Sequence, residues 1–483
     1  MSSRGRSRAV KAPASVVSSA SASEANTVVE SVPQSVPQSV PESVPESVPS
    51  TQGTPTFGKS DSDWDIAAPA SAAASAAESV TESVAESTES VAESDPDVLK
   101  EYKSFDEMEL PEELLRGVYA SGFERPSDIQ TKAIIPMKEG RDVLAQAPSG
   151  TGKTAMFLIG GFTRINVALN EVQMVVISPT RELADQTGNV AKALGTFMGL
   201  RYHLATGGVG VDTDLEKLGR GSTAIPHLLV VTPGRFYDLL TRKAVKPATI
   251  RVLVLDEADQ LLDAKFKEQI QTIMSEPFIW PASTQVALVS ATMIPAIAAT
   301  AKTLLVRNPV TILREADEVS LEGIRQFCIK LDREDQKLMT LCDLSDHLTI
   351  KQCTIFVNTR AKAEWLMEQM RRQGFDLDCI HGDMDLKERK RRMDSFRAGK
   401  IRVLIATDLL ARGIDVQQIS LVINYELPVS RENYIHRIGR SGRFGRKGAS
   451  INLLDAREVR IQAEIEEFYG KKVEDLPMDL NIY

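Results

Sequence analysis

Short apolar runs recur along the chain, and each is followed within a few positions by polar or glycine-containing turns. In one stretch these runs begin at Val143, Met174, Leu228, Val252 and Val286. Each is continuously apolar for three or more residues, which is typical of strands buried on both faces of a sheet. Helix-length segments separate the runs. The pattern therefore predicts a parallel α/β sheet that binds ligands at the carboxyl ends of its strands.

The same alternation begins again further along, with apolar runs at Thr354, Val403 and Leu421. A polar segment separates the two stretches and reads as a linker. The chain is thus predicted to be α/β, with two tandem domains. The predicted organisation is a tail at 1–98, a first domain at 99–314, a linker at 315–320 and a second domain at 321–483.

The first 98 residues lack this pattern and predict a disordered, low-complexity tail. Their only aromatic residues are Phe57 and Trp64, and a Ser-Val-Pro unit recurs every fourth residue from 31 to 50. Regular proline removes backbone donors and favours extended coil. Two alternatives to a plain spacer stay open: residues 1–23, basic and without acids, are compatible with an organellar transit peptide, and Trp64 among acids with a partner anchor.

Charge is distributed unevenly. The chain has a formal net charge of −9, and residues 1–98 hold 5 basic and 14 acidic residues, so the remainder is neutral overall. A polycationic nucleic-acid binder is excluded, and a nucleic-acid site must be a local patch. The four cysteines lack Cys-x-x-Cys spacing and read as reduced thiols of an intracellular protein. We expect no membrane span and no structural zinc.

The run at Val143 leads into Ala147-Pro-Ser-Gly-Thr-Gly-Lys-Thr154, which has the composition of a phosphate-binding loop. Glycines at 150 and 152 let backbone N–H groups surround a phosphate. Lys153 is expected to reach the β- and γ-phosphates, and Thr154 to offer its hydroxyl to Mg²⁺. The sequence therefore predicts an ATP and Mg²⁺ site at this strand end.

The run at Val252 leads into Asp256-Glu257-Ala-Asp259. A carboxylate at a strand end can hold Mg²⁺ through water, and the next acid can orient and deprotonate an attacking water. Near the C-terminus, Arg440 and Arg443 are three residues apart, a spacing that predicts one helical face. Planar guanidinium groups suit a trigonal phosphoryl group. The second domain has no phosphate loop, so it must complete the first site or bind another ligand.

These motifs, in this order, resemble a DEAD-box RNA helicase over residues 101–483. Within that family, the strings at 114–120, 407–418 and 432–440 are most similar to the translation initiation factor branch, with the exon-junction branch as the nearest rival. Pro148 stands where the family usually has a polar residue. The resemblance implies two RecA-like domains and local RNA unwinding driven by ATP hydrolysis.

The resemblance also implies roles for individual residues. The implied catalytic residues are Lys153, Asp256, Glu257, His436, Arg440 and Arg443, with Thr154 and Asp256 holding Mg²⁺ through water. The implied nucleotide contacts are Phe123, Arg125, Gln130, Ala147, Pro148, Ser149, Gly150, Thr151, Gly152, Lys153, Thr154 and Asp415. The implied RNA contacts are Pro179, Thr180, Arg181, Gly207, Gly208, Thr232, Gly234, Arg235, Asn358, Thr359, Arg360, Gly382, Asp383 and Thr407.

The implied partners are RNA, bound without sequence specificity, and a scaffold protein bridging the two domains, with the chain itself a monomer. A cytoplasmic location is expected, with nuclear and organellar locations as alternatives. An ATP-locked RNA clamp of exon-junction type and an organellar RNA chaperone stay open as alternative functions.

Overall fold

The computed structural model describes residues 102–483 except 209, 220, 264, 276, 294, 314–322, 349–351, 409–418, 442–447, 479–481 and 483. The tail predicted at 1–98 and the linker predicted at 315–320 lie outside the described residues. Below, lobe 1 denotes the described residues up to 313, and lobe 2 those from 323 onwards.

Lobe 1 is built on a seven-stranded sheet in which every pairing is parallel. Its strands are β1 (Val143–Gln146), β2 (Met174–Ile177), β3 (Tyr202–Ala205), β4 (Leu228–Val231), β5 (Val252–Asp256), β6 (Gln285–Ser290) and β7 (Val310–Ile312). They lie in the order β3-β4-β2-β5-β6-β1-β7. The predicted continuous apolar strands are confirmed, because β1, β2, β4, β5 and β6 are buried along their whole length.

Nine helices accompany this sheet within the described part of lobe 1. They are α1 (Glu112–Ala120), α2 (Asp128–Glu139), α3 (Lys153–Phe162), α4 (Arg181–Leu194), α5 (Asp212–Leu218), α6 (Pro233–Thr241), α7 (Ala258–Leu261), α8 (Lys267–Met274) and α9 (Pro295–Leu304). Two apolar clusters form the core, one centred on α3 and one including α6 and α7. A parallel sheet covered on both faces needs two such clusters.

Lobe 2 repeats the architecture with a second seven-stranded parallel sheet. Its strands are β8 (Ile324–Lys330), β9 (Cys353–Phe356), β10 (Leu377–Ile380), β11 (Val403–Ala406), β12 (Leu421–Asn424), β13 (Gly448–Leu454) and β14 (Glu474–Asp475). Its described helices are α10 (Gln336–His347), α11 (Arg360–Arg372), α12 (Leu386–Arg397), α13 (Arg431–Ile438) and α14 (Glu458–Phe468).

The two sheets have the same topology. The order in lobe 2 is β10-β11-β9-β12-β13-β8-β14, which is the order of lobe 1 with each strand replaced by its counterpart seven positions later. The fold is thus two tandem RecA-like domains, as predicted. All four cysteines are free. Among the described helices, none has both the length and the apolar character needed to cross a bilayer.

Candidate functional site

The phosphate-type loop connects β1 to α3 and depends on two glycines. Gly150 and Gly152 have φ values of 85° and 93°, in the left-handed region that favours glycine. A Cβ on Gly152 would lie 2.4 Å from Nε2 of Gln130. Lys153 opens α3, is buried, and donates from Nζ to the Ala147 carbonyl oxygen at 2.7 Å. Burial lowers the pKa of Lys153, while the charges of Glu257 and Asp256 oppose that shift.

Gln130 braces this loop from α2. Its Oε1 accepts from the backbone N–H of Ser127 at 2.9 Å, and its Nε2 donates to the Gly152 carbonyl oxygen at 3.2 Å. Ser127 adds a bond from its hydroxyl to the Thr151 carbonyl oxygen at 2.7 Å. Since a carboxamide has two N–H donors and two lone pairs, Gln130 keeps capacity for a ligand. Its adenine contact stays a prediction, and the brace is a role that the sequence did not reveal.

One pocket gathers much of the predicted nucleotide site. Its lining includes Phe123, Ser149, Gly150, Gly152, Lys153, Thr154, Asp256, Glu257 and Arg440. The exposed Arg125 is not among the lining residues. Leu183, Gln186 and Val190 of α4 also line the pocket. Sequence reasoning missed these three, because nothing in their local pattern distinguishes them from other positions on the inner face of a helix.

Asp256 and Glu257 stand where β5 ends. Glu257 is non-glycine and has a φ of 51°, a conformation that costs about 1–3 kcal/mol and is enriched at functional sites. Asp256 accepts through Oδ1 from the Glu257 backbone N–H at 3.0 Å. Burial, followed by the charge of Glu257, raises the pKa of Asp256 to about 7. This strand end therefore stores both backbone strain and unfavourable carboxylate burial.

The donor set fits Mg²⁺. Within the described residues, the buried Oδ2 of Asp256 has no hydrogen-bond partner, and Thr154 lines the pocket that Asp256 also lines. Mg²⁺ prefers hard oxygen ligands and keeps several waters, so a carboxylate and a hydroxyl beside a phosphate loop are suitable. A buried, unpartnered carboxylate oxygen is costly unless a cation or donor meets it.

Among the described residues of lobe 2, His436 and Arg440 contact this site through their side chains. His436 Nε2 lies 2.7 Å from Asp259 Oδ2, and the hydroxyl of Thr292 donates to the same oxygen at 2.8 Å. Arg440 donates from Nη2 to the Ser149 hydroxyl at 2.8 Å. Asp259 thus joins the hydrolysis motif of lobe 1 to lobe 2, which is a role that its place in the Asp-Glu-Ala-Asp string did not specify.

The prediction that Arg440 lies on a helical face is wrong. Helix α13 ends at Ile438, and Gly439 forms its C-cap. The backbone N–H of Arg440 then bonds to the Arg437 carbonyl oxygen at 3.1 Å in a turn. The last turn tightens here, because the backbone N–H groups of Arg440 and Ser441 bond to carbonyl oxygens three rather than four residues earlier. The expected contacts of Arg443 and Asp415 lie outside the described residues.

Segments of lobe 1 predicted to hold RNA are linked to one another. The Gly207 backbone N–H donates to the Thr232 hydroxyl at 3.3 Å. Arg181 packs on Gly208, where a Cβ would come within 2.2 Å of the guanidinium. Burial lowers the pKa of Arg181, followed by the nearby charge of Arg389. These contacts bring the loops after β2, β3 and β4 together, along with their other predicted members Pro179, Thr180, Gly234 and Arg235.

The corresponding residues of lobe 2 are mostly held by internal bonds. Asn358 donates from Nδ2 to the Leu427 carbonyl oxygen at 2.8 Å, and Thr359 caps α11 through its hydroxyl. The exposed pair Arg360 and Asp383 forms a salt bridge at 2.6 Å. The remaining predicted members are Gly382, whose carbonyl oxygen faces Arg389 Nη1 at 3.5 Å, and Thr407, which follows β11.

Two further arginines of lobe 2 were missed. Arg437 is fully buried and donates to Asn358 Oδ1 at 2.7 Å and to Asp408 Oδ1 at 2.5 Å. Arg389 reaches Glu182 of lobe 1 at 2.6 Å. The sequence carried one signal for Arg437, namely its place beside His436. It carried none for Arg389, which sits in a helix rich in basic residues.

Comparisons with known proteins agree with this geometry. A family model described as DEAD/DEAH box helicase matches residues 127–300, and one described as helicase conserved C-terminal domain matches residues 336–445. The first covers the loop between β1 and α3 and the Asp256 region. The second covers the lobe 2 segment that ends in the His436 motif.

Curated relatives and a solved structure extend the likeness across both lobes. Proteins named ATP-dependent RNA helicase eIF4A, from Chaetomium globosum and Neurospora crassa, are each 51% identical over 377 residues, covering 78% of this chain and 93% of the relative. The structure of S. cerevisiae Dbp5 bound to RNA and ADP BeF3 is 35% identical, with a TM-score of 0.72, and the match covers 78% of this chain and 96% of that chain.

Proposed function

Because the chain belongs to the DEAD-box RNA helicases of the eIF4A type, we propose that it unwinds short RNA structures during translation initiation by closing its two lobes around ATP. It is an RNA-dependent ATPase and helicase by family. We also propose that closure of the lobes is coupled to RNA unwinding.

One observation carries the proposal: side chains of lobe 2 bond to the phosphate loop and to the Asp-Glu-Ala-Asp segment of lobe 1. Arg440 reaches Ser149 of the phosphate loop, and His436 reaches Asp259. A site completed by both lobes can be active only when the lobes are together. A ligand that spans both lobes therefore favours hydrolysis by favouring closure.

The chemistry follows from the pocket. Lys153 binds phosphate oxygens after exchanging its bond to Ala147, and Glu257 orients the attacking water and accepts its proton. Arg440, together with Arg443, stabilises charge that develops on the transferred phosphoryl group, which is typically worth about 10³–10⁵ in rate. Asp256 and Thr154 would hold Mg²⁺, which when bound neutralises phosphate charge.

RNA is proposed to lie across both lobes, held by its backbone. In lobe 1 the linked loops around Arg181 and Thr232 would provide the contacts, and in lobe 2 those around Thr359 and Thr407. Backbone contacts carry no sequence information directly, so we expect weak sequence preference. We also propose a monomer in the cytoplasm that is aided by a scaffold protein bridging the lobes.

The first experiment measures steady-state ATP turnover of the full chain with and without single-stranded RNA. We expect RNA to stimulate turnover. Glu257→Gln should bind ATP and RNA without turnover, whereas Glu268→Gln, an exposed change in the same lobe, should behave like the wild type. Turnover by Glu257→Gln would contradict the base assignment.

Arg440→Ala tests closure. Arg440→Ala should still bind ATP but should lose the stimulation of turnover by RNA. The control Arg457→Ala, whose side chain in lobe 2 is 83% exposed, should keep that stimulation. Slow turnover of the wild type, with RNA retained tightly in ATP, would instead indicate the clamp function.

The initiation role needs a separate test. Adding Glu257→Gln protein to a translation extract should inhibit a reporter whose leader contains a hairpin more than one whose leader is unstructured. Equal inhibition of both would contradict the initiation role. Import of a fluorescent protein fused to residues 1–30 into an organelle would instead support the organellar chaperone.

A further inference from the structure

A buried carboxylate in lobe 1 connects three elements that surround the predicted RNA loops. Asp214 of α5 is 5% exposed, and its two oxygens have different partners. Oδ1 lies 2.7 Å from Nε2 of His203 on β3, and Oδ2 accepts from Nη1 of Arg235 on α6. His203 and Arg235 are each only 8% exposed. One carboxylate therefore bridges an imidazole and a guanidinium away from solvent.

The Asp214 bridge connects the elements that flank two segments predicted to bind RNA. The Gly207-Gly208 loop runs from β3, which carries His203, to α5, which carries Asp214. The loop from β4 to α6 carries Thr232, which bonds to Gly207. The elements that follow β3 and β4 are thus linked twice, by the bonds of Asp214 and by the Gly207–Thr232 bond.

Arg235 needs such a partner. It lies in the first turn of α6, where the helix dipole disfavours a cation. It is also buried, and a buried guanidinium is costly without a carboxylate. The same position is favourable for an anion such as an RNA phosphate. A fixed guanidinium loses less conformational entropy on binding a phosphate than a mobile one.

We propose that Asp214 and His203 are positioning residues that hold Arg235 in the orientation required to bind the RNA backbone. His203, in its neutral form, donates from Nε2 to Oδ1 and fixes the carboxylate, whose Oδ2 then orients the guanidinium. The inference rests on the proposed RNA contact of Arg235. It concerns affinity for RNA and not the chemistry at Glu257.

The test is a double-mutant cycle on the full chain, read out as the RNA concentration that gives half-maximal ATPase stimulation. Asp214→Asn and Arg235→Ala should each raise that concentration, by about 10- to 100-fold for a lost charge-assisted hydrogen bond. For Asp214→Asn, the maximal rate at saturating RNA should stay near that of the wild type. The double variant should be no worse than Arg235→Ala, because Asp214 acts through Arg235.

Additive effects, or a fall in the maximal rate alone, would mean that Asp214 only supports the fold and would overturn the inference. An Asp214→Asn variant with wild-type RNA dependence would do the same. If Arg235→Ala itself leaves RNA dependence unchanged, the proposed RNA contact fails and the inference fails with it.

Variants of His203 provide a second measurement, which leaves the charges of Asp214 and Arg235 in place. His203→Gln keeps an N–H donor for Asp214 and should retain most of the RNA affinity. His203→Leu removes the donor and should weaken RNA affinity severalfold. Melting temperatures measured in parallel report folding. Equal RNA affinity of the two folded variants would overturn the role of His203.

Discussion

The two lobes share one strand order but differ in the segment that follows their first strand: its lysine lines a pocket in lobe 1 and forms a buried salt bridge in lobe 2. In lobe 1, β1 leads through a glycine loop to Lys153, which faces a pocket. In lobe 2, β8 leads to Lys337 at the second position of α10. Lys337 is buried, donates to the Tyr425 carbonyl oxygen at 2.8 Å and forms a salt bridge with Glu458. The topologically equivalent lysine of lobe 2 thus binds a carboxylate and a carbonyl oxygen of the protein, not a ligand phosphate.

This difference shows that the fold alone does not create a nucleotide site. Lobe 1 combines glycines that expose backbone N–H groups with a lysine that, within the described residues, donates its hydrogen bond to the carbonyl oxygen of Ala147 in its own loop. In lobe 2, Glu458 supplies the negative charge that a phosphate supplies in a nucleotide site, and it also accepts from the backbone N–H groups of Leu427 and Asp455. The contribution of lobe 2 to the nucleotide pocket is instead Arg440, which bonds to Ser149 of lobe 1.

The largest expected effect concerns the stability of lobe 2. Lys337→Met leaves Glu458 buried without its cation and should lower the free energy of unfolding by about 3–5 kcal/mol. The double variant Lys337→Met/Glu458→Gln should recover part of that loss, because it removes the uncompensated charge while the single carbonyl oxygen of glutamine still accepts from one of the two backbone N–H groups. Chemical denaturation measures both. A stable single variant would show that the pair is unimportant.

The matching change in lobe 1 should affect activity instead. Lys153→Ala is expected to lower ATP turnover about 10²–10³-fold, the usual loss on removing one preorganised donor. Its melting temperature should change much less than that of Lys337→Met. The exposed Lys302→Ala in the same lobe is the control. Retained turnover would mean that the two lysines are not functionally different.

Substitution of two glycines with the same φ distinguishes the cost of backbone strain from the cost of a steric clash. Gly152 and Gly374 both have a φ of 93°, but only Gly152 has neighbours that a Cβ would meet. Gly374→Ala should cost roughly 1–2 kcal/mol of stability through strain alone. Gly152→Ala should cost more and also weaken ATP binding, because it displaces Gln130. Equal effects on stability with unchanged ATP binding would contradict the bracing role.

The smallest effect is a pH dependence at His203. Burial lowers its pKa below 6.5, against the opposing influence of Asp214, while Lys217 and Arg235 lower it further. Well above pH 6.5 the imidazole is neutral in both the folded and the unfolded state, so its contribution to stability is constant. As the pH is lowered through 6.5, the imidazole of the unfolded chain takes up a proton before that of the folded chain. The free energy of unfolding therefore decreases as the pH decreases.

We expect the wild type to lose up to about 1 kcal/mol more than His203→Gln between pH 7.5 and pH 5.5. Denaturation at the two values measures this, with the exposed His347→Gln as control. An identical pH response of wild type and His203→Gln would exclude His203 as the titrating group.

Much of the fold followed from local patterns. Continuous apolar runs predicted the strands that begin at Val143, Met174 and Val252, because a doubly covered strand needs apolar residues on both faces. The motifs predicted which strand ends would carry the site. The end of α13 was missed, since the arginine spacing suggested that the helix extends through Gly439.

The sequence by itself determined eight of the fourteen described strands, the phosphate loop, the acidic strand end and the two-domain organisation, since each is encoded within a few neighbouring residues. Only the tertiary structure decided the partners of buried polar groups. Arg440 meets Ser149 across 291 residues, His436 meets Asp259 across 177, and Lys337 meets Glu458 across 121. A buried charge must find a partner, but local sequence does not specify which distant residue packing will bring to it.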